Sequence, residues 1–150
     1  MTSERSQAES AYARTLLPLA RMWRHVADRA LSEFGLSASG GWALVQVGRL
    51  GDDVRQTDLA AELDVSAASL VRVVDQLVAA QLVDRQRDEV DARVSRVRLT
   101  ERGHALVEKI EAAFEALRHE TLADIADDDL ATALRVAEQL ESRFSRRRPR

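Results

Sequence analysis

Residues 56–78 read QTDLAAELDVSAASLVRVVDQLV, and this stretch is the strongest indication of the fold in the sequence. Its first part, Gln56–Leu63, has the apolar spacing of a short helix. A break follows at 64–66, and Ser66 can cap a second helix by accepting a hydrogen bond from the amide of Ser69. Two short helices about a tight turn have the spacing of a helix-turn-helix motif.

A β-hairpin is predicted directly after this motif. Residues 82–87 and 94–99 flank the polar segment 88–93. In the second strand, Val97 and Leu99 alternate with arginines, so one face is predicted to be buried and the other to be cationic. We therefore expect a wing with an extended, charged tip.

Long helices are predicted on both sides of this central part. Apolar residues recur at helical spacing over 10–34, and again in the segments that begin at Thr100 and at Asp127. After the first helix, the glycine-rich and serine-rich stretch 35–41 is predicted as a turn, and a further helix begins at Trp42. The outer helices are more apolar than a central unit of ~50 residues can cover, so we expect them to pair with those of a second chain.

The predicted fold class is mainly α with a small β-hairpin wing. A winged helix-turn-helix part lies between N-terminal and C-terminal dimerisation helices, and together they form one domain, 1–150. The dimerisation helices are predicted at about 10–35 and 104–145, and the winged helix-turn-helix part at about 36–103.

The composition is that of an ordinary globular domain, since the 150 residues are 45% hydrophobic and 31% charged. Cysteine is absent, which excludes disulfides, thiolate nucleophiles and sulfur-rich zinc sites and is compatible with a reducing compartment. No run approaches the ~20 apolar residues of a membrane span, and residues 1–10 lack the apolar core of a secretory signal. We therefore expect a cytoplasmic protein that has no membrane partner.

The charge distribution limits how the chain can bind nucleic acid. A formal net charge of -3 argues against a protein that coats nucleic acid by bulk charge, so any contact with DNA must come from local positive charge. The segment 85–98 provides such charge, because it holds five arginines and three acids. The arginines at 146–148 are interpreted as solvating the end of the last helix.

The sequence contains no pattern typical of an enzyme. Its three histidines are scattered, and it has no glycine-rich phosphate loop, nucleophile elbow or zinc-protease motif. His104 and Glu108 lie one helical turn apart and, with Glu101, could share a metal ion, but a solvated helix face explains them better. We therefore expect no enzymatic activity, no cofactor and no metal site.

Short segments in a fixed order carry a family resemblance over roughly 16–103. The most specific are Ser69-Leu70-Val71-Arg72, Asp75-Gln76-Leu77, Leu82-Val83-Asp84-Arg85-Gln86, and Asp91-Ala92-Arg93 leading to Leu99-Thr100-Glu101-Arg102-Gly103. The match is extended towards the N-terminus by Trp23-Arg24, Asp28, Leu31, Trp42 and Leu59-Ala60. With these segments the chain resembles the MarR family of transcription regulators and, within it, the SlyA-type branch. The resemblance implies a homodimer that binds a pseudo-palindromic operator in double-stranded DNA, usually as a repressor, and that is often released by a small aromatic acid or by oxidants. Without cysteine, this chain lacks the thiol switch of the oxidant-sensing members.

The residues predicted to contact DNA lie on both helices of the motif and on the wing. Arg72 is placed to contact a guanine or a phosphate from the helix that enters the major groove. The resemblance implies that Arg93, at the wing tip, enters the minor groove while Asp91 orients it. The full set is Gln56, Thr57, Ser66, Ser69, Arg72, Arg85, Arg93 and Arg96.

Structural roles are the alternatives for these residues. Arg72 can be a solvated arginine paired with Asp75 or Glu62, and the wing tip can be a solvated hairpin whose charges pair with one another. Gln56 and Thr57 can equally well cap the first helix of the motif.

Ala67, Ala68 and Ala92 depart from the family pattern. Many relatives carry larger or polar residues at the first two positions and a second arginine at the third. Direct base reading and the wing contact are therefore expected to be weaker than in the family, with a larger share for DNA shape. Together with the acidic net charge, these alanines favour an alternative function, a winged-helix adaptor that binds protein and not DNA.

Four residues are candidates for an effector site. The resemblance places the effector between the first two helices, the dimer helices and the DNA-reading part. A small aromatic carboxylate would need an aromatic ring for stacking and a cation for its charge, and the candidates are Trp23, Arg24, His25 and Trp42. Core packing is the favoured alternative for both tryptophans.

Overall fold

The computed structural model describes residues 2–51 and 53–146. These residues form six helices and three short strands, so the predicted fold class, mainly α with a small wing, is confirmed. The arginines at 147 and 148, predicted to solvate the last helix, lie outside the described residues. The elements are α1 (Thr2–Ser32), α2 (Ala38–Arg49), β1 (Val54–Arg55), α3 (Gln56–Leu63), α4 (Ala67–Ala79), β2 (Val83–Arg87), β3 (Ser95–Leu99), α5 (Glu101–Leu122) and α6 (Asp127–Ser145).

The chain divides into two compact units, 1–114 and 115–150. The first unit contains α1 to β3 and the first part of α5, and the second contains the end of α5 and all of α6. The predicted bounds of the dimerisation helices and of the winged part stay predictions. None of the helices within 2–51 and 53–146 is long and apolar enough to cross a membrane.

The first unit has a core built from every one of its helices. Fully buried side chains come from α1, α2, α3, α4 and α5, and Val97 of β3 joins them. The alternation predicted for β3 is confirmed, since Val97 and Leu99 are buried whereas Arg98 is exposed. The largest buried residues of the helices are Leu31, Leu44, Leu59, Leu70 and Ile110.

The sheet is antiparallel, with strand order β1-β3-β2. The predicted hairpin is confirmed, and its register runs from Val83 opposite Leu99 to Arg87 opposite Ser95. The third strand, β1, was not predicted, because two residues are too few to show an alternating pattern. Val54 of β1 lies opposite Val97, so the entry to the helix-turn-helix is joined to the wing by the sheet.

The beginning of α2 corrects the sequence prediction. The turn predicted at 35–41 is wrong beyond residue 37, because α2 begins at Ala38 and not at Trp42. Ser37 caps it by accepting a hydrogen bond from the amide of Gly40 at 3.1 Å. A Cβ atom on Gly41 would lie only 2.8 Å from Leu31 Cδ2, so the glycine allows α2 to approach α1 closely.

The beginning of α5 is fixed against the residues that precede β2. Thr100, at which the helical segment was predicted to begin, caps the helix, since its Oγ1 accepts from the amide of Gly103 at 3.0 Å and donates to the carbonyl oxygen of Gln81 at 2.8 Å. The amide of Thr100 donates to the carbonyl oxygen of Leu82 at 3.1 Å. Gly103 and Leu82 are both buried at this contact.

Apolar side chains remain exposed on the outer helices. On α1 these include Leu17, Leu19 and Met22, and on α6 they include Leu134 and Phe144. Within the described chain, α6 has no buried residue. Each of these helices therefore presents an apolar surface that its own unit leaves uncovered.

Candidate nucleic-acid interface

The start of α4 is held by the predicted serine cap. Ser66 Oγ accepts from the amide of Ser69 at 3.1 Å and donates to Ser69 Oγ at 2.8 Å, so the capping prediction is confirmed. Both serines are exposed. The Ser66 hydroxyl is used to fix the helix, whereas the Ser69 hydroxyl accepts this bond and keeps its own hydrogen for donation to another group.

Arg72 lies on the exposed face of α4, one turn after Ser69. Within the described residues, it forms no ion pair or hydrogen bond, and so the predicted alternative of pairing with Asp75 or Glu62 is not seen. Asp75 instead binds Arg85, whose Nη2 lies 2.6 Å from Asp75 Oδ1. The Arg72 guanidinium is therefore available to a ligand.

Arg85 braces the wing against α4. Besides Asp75, its Nη2 lies 3.5 Å from the carbonyl oxygen of Val71, and both partners belong to α4. The arginine itself lies on β2. Its role as a DNA contact stays a prediction, and the structure adds a second role in positioning the two elements.

The start of α3 carries no side-chain cap. Its N-cap residue is Arg55, whose side chain makes no capping hydrogen bond, and the capping alternative for Gln56 and Thr57 is therefore not seen. Thr57 is exposed. Gln56 is half-buried, and its Oε1 is buried with no partner among the described residues. The first amides of α3 are left for solvent or for an anion.

Arg96 is engaged with two aspartates. It donates to Asp53 Oδ1 from Nε at 3.1 Å and to Asp88 Oδ2 from Nη1 at 3.0 Å. The Arg96 hydrogen bond lowers the pKa of Asp53, and the amides of Val90 and Asp91 together with Arg96 lower the pKa of Asp88. The sequence predicted Arg96 as a DNA contact and missed both partners, because nothing in the sequence places residues 53 and 88 beside residue 96.

Three of the predicted DNA contacts form ion pairs within the described part of the chain, and Arg93 is the most exposed of them; the other two are Arg85 and Arg96. Its side chain is 93% exposed, and its Nε lies 3.4 Å from Asp91 Oδ1. The amide of Arg93 also donates to Asp91 Oδ1 at 3.0 Å. Asp91 therefore holds both the backbone and the side chain of Arg93, which is the arrangement that the family resemblance implies.

The candidate effector residues separate into two groups. Trp42 is half-buried and stacks on Phe114 with ring centroids 5.4 Å apart, and its Nε1 donates to Asp28 Oδ1 at 2.6 Å. Arg24 lies over the Trp42 ring, 4.4 Å from its centroid, and its Nε lies 3.1 Å from the same carboxylate oxygen. The structure thus brings Arg24 and Trp42 together, with core packing on one face of Trp42.

Trp23 and His25 are exposed on α1. The alternative prediction that Trp23 packs into the core is wrong within this chain, because the residue is 39% exposed. Among the described residues, no three histidine, aspartate or glutamate side chains are grouped so that they could hold a metal ion.

Comparisons with known proteins agree with the winged helix-turn-helix fold. The MarR family model matches residues 34–94, which include α3, α4 and the wing tip. The crystal structure of transcriptional regulator PA3341 is 29% identical, with a TM-score of 0.81 over 91% of this chain and 99% of that one. MarR family transcription regulator SP03579 is 23% identical, with a TM-score of 0.83 over 97% and 95%. Wild-type MarR from E. coli in its apo form is 25% identical, with a TM-score of 0.66 over 83% and 95%.

The matched region holds most of the described interface, including Arg72 and Arg93. Similarity to solved regulators extends over most of the chain, well beyond that region. Residues 34–94 are thus similar to the MarR family, and the fold of the chain is that of the solved MarR-type transcriptional regulators.

Proposed function

We propose that this protein is a transcription regulator that binds duplex DNA in a sequence-specific manner as a homodimer. The observation that carries the proposal is the pair of exposed guanidinium groups, Arg72 on α4 and Arg93 at the wing tip. They belong to the two elements of a winged helix-turn-helix that can enter DNA grooves. PA3341, the 29% identical protein, is itself a transcriptional regulator.

Arg72 supplies contact with a base edge or a phosphate. The recognition helix of such a motif enters the major groove with its N-terminal residues, and Arg72 lies in the first half of α4 with Ser69 on the same face. A bidentate arginine contact to guanine discriminates against a wrong base by ~1–3 kcal/mol. Among residues 2–51 and 53–146, Arg72 has no ion pair that it would have to give up to make that contact.

Arg93 supplies contact with the minor groove. A narrow A/T-rich groove concentrates negative potential, and a guanidinium gains energy there without a base code. Asp91 lies beside Arg93 and limits the directions in which the side chain can extend. The entropy lost when the arginine enters the groove is therefore smaller than for an unrestrained side chain.

The apolar surfaces of α1 and α6 support the proposed homodimer. The occupant that fits both is a second copy of the chain, because a two-fold dimer buries the same stripe on each partner. Two α4 helices in such a dimer read half-sites whose centres lie about 10 base pairs apart, on one side of the duplex. The family resemblance implies the same assembly.

The arginine contacts predict the effect of two substitutions on DNA affinity. Arg72→Ala and Arg93→Ala are each expected to weaken binding to an operator duplex about tenfold. The association constant falls as the salt concentration rises, and each lost phosphate contact makes the slope of log K against log salt less steep by about 0.9. The duplex is selected from protein-protected genomic fragments, including the region upstream of the protein's own coding sequence. Fluorescence anisotropy over a salt series measures both quantities.

Arg118→Ala is the matched control, since Arg118 is an exposed arginine on α5, outside the winged part. It is expected to bind as the wild type does. Equal, weak binding of every duplex by all four proteins would reject the regulator and favour the protein-binding adaptor, to which the acidic net charge and Ala67, Ala68 and Ala92 point.

We further propose that operator binding represses transcription and that a small aromatic carboxylate releases the protein, as the resemblance to the SlyA-type branch implies. The exposed Trp23 offers a ring, and Arg24 can supply the cation by exchanging its partner Asp28 for the ligand, whereas the Trp42 ring already stacks on Phe114 and lies under Arg24. Benzoate is expected to change the tryptophan fluorescence and to release the operator, and Arg24→Ala is expected to weaken both effects at least fivefold because a charge-assisted contact is lost. Benzyl alcohol, which has the ring without the carboxylate, is the control. Identical responses to both compounds would reject this part of the proposal.

A further inference from the structure

We infer that an ion-pair cluster holds the wing tip in the position that DNA binding needs, and we name its three residues, Asp53, Asp88 and Arg96, the wing clamp. In this inference Arg96 is a positioning residue that acts through Arg93 and does not itself contact DNA. The inference rests on the proposed DNA-binding function, and it revises the role that the sequence predicted for Arg96.

Arg96 joins two segments that are distant in the sequence. Its Nε lies 3.1 Å from Asp53 Oδ1, and its Nη2 donates to the carbonyl oxygen of Asp53 at 2.8 Å. Its Nη1 donates to Asp88 Oδ2 at 3.0 Å. Asp53 precedes β1 and Asp88 follows β2, so one planar guanidinium connects the entry of the helix-turn-helix to the wing.

Asp88 orders the backbone of the wing tip. Its Oδ1 accepts from the amides of Val90 at 2.9 Å and Asp91 at 3.2 Å, and its side chain is only 8% exposed. Asp91 in turn accepts from the amide of Arg93 and pairs with its guanidinium. A continuous series of hydrogen bonds therefore leads from the wing clamp to Arg93.

The exposure of the two arginines fits this division of roles. The Arg96 side chain is 28% exposed and donates from all three of its nitrogen atoms, whereas that of Arg93 is 93% exposed and makes an ion pair of 3.4 Å. To present its full planar fork to a phosphate, Arg96 would have to break charge-assisted hydrogen bonds to two carboxylates. Arg93 would give up only its longer ion pair with Asp91.

Removing an acid from the wing clamp distinguishes a role in positioning the wing from the effect of net charge on DNA binding. Asp53→Asn and Asp88→Asn each make the protein less negative, which by electrostatics alone tightens DNA binding. Loss of the wing clamp is instead expected to weaken DNA binding. We expect each variant to bind the operator duplex about tenfold more weakly, a size typical of coupling within one ion-pair network. Glu89→Gln is the matched control, because Glu89 is an exposed acid beside Asp88, and it is expected to bind at least as tightly as the wild type.

A combination with Arg93→Ala tests whether the wing clamp acts through Arg93. In that background, Asp88→Asn and Arg96→Gln are each expected to change the affinity less than about twofold. Arg96→Lys keeps the charge but loses the planar fork, so it is expected to bind as weakly as Arg96→Gln. Anisotropy at fixed salt measures the affinities, and circular dichroism melting shows that each variant is folded at the assay temperature.

Unchanged or tighter binding by both aspartate variants would overturn the inference. Full additivity of Arg96→Gln with Arg93→Ala would overturn it as well, because Arg96 would then be an independent DNA contact. Failure of the proposed function looks different, since the wild-type protein would itself bind no duplex selectively. Asp53 lies outside the hairpin, so Asp53→Asn decides the matter even where a hairpin variant unfolds.

Discussion

Replacement of Gly103 by alanine is expected to lower the free energy of unfolding by about 3 kcal/mol, at the upper end of the usual cost of overpacking. A Cβ atom on Gly103 would overlap the carbonyl oxygen of Leu82 and lie 3.1 Å from its carbonyl carbon. That oxygen also accepts a hydrogen bond from Thr100, and Leu82 is buried in the core, so the backbone cannot easily move away. Elsewhere in a helix, replacing glycine by alanine stabilises the protein by roughly 0.5–1 kcal/mol. A loss of stability at Gly103 would therefore indicate the close contact with Leu82.

Urea unfolding followed by circular dichroism measures this effect. Gly48→Ala is the matched control, because Gly48 also lies inside a helix but its Cβ would meet a flexible side chain, with Val107 Cγ1 at 3.1 Å. We expect Gly48→Ala to change the free energy of unfolding by less than about 1 kcal/mol, since helix propensity offsets the closer packing. If Gly103→Ala were as stable as the wild type, α5 would not begin against Leu82 in the way described.

The parts of the fold that the sequence predicted well are those with local signals. The bounds of α3 agree residue by residue, and Ser66 caps α4 through Ser69, because apolar spacing and a cap are both encoded within a few neighbouring residues. The hairpin was found for the same reason, since its alternation is local. Tertiary structure was not needed for any of these elements.

The parts that the sequence could not predict depend on tertiary contacts. Gly41 resembles a turn residue in the sequence until Leu31 of α1 is known to lie against it. The arginines of the wing show the same limit, because charge and spacing do not distinguish a paired arginine from an exposed one. The structure separates Arg96, which binds two carboxylates, from Arg93, which extends into solvent.

A charge on the apolar face of α6 is expected to convert the proposed dimer to monomers. Leu134 is 59% exposed on a helix that has no buried residue within the described chain. Leu134→Asp would remove apolar area from the dimer interface and place an unpaired carboxylate there, so we expect the dimer dissociation constant to rise at least about 100-fold. Because Leu134 is exposed in the single chain, the variant is expected to keep its helical circular dichroism. Analytical ultracentrifugation at micromolar concentration measures the change.

The same variant links assembly to DNA binding. A dimer that binds two half-sites gains from the high effective concentration of its second subunit, and a monomer loses that gain, so operator affinity is expected to fall at least about 100-fold. Gln139→Asp is the matched control, because it adds the same acid to an exposed polar position of α6 without removing apolar surface. It is expected to remain a dimer and to bind the operator as the wild type does. Undiminished dimerisation of Leu134→Asp would place the interface elsewhere, and undiminished operator binding by a monomeric variant would show that one subunit is enough for recognition.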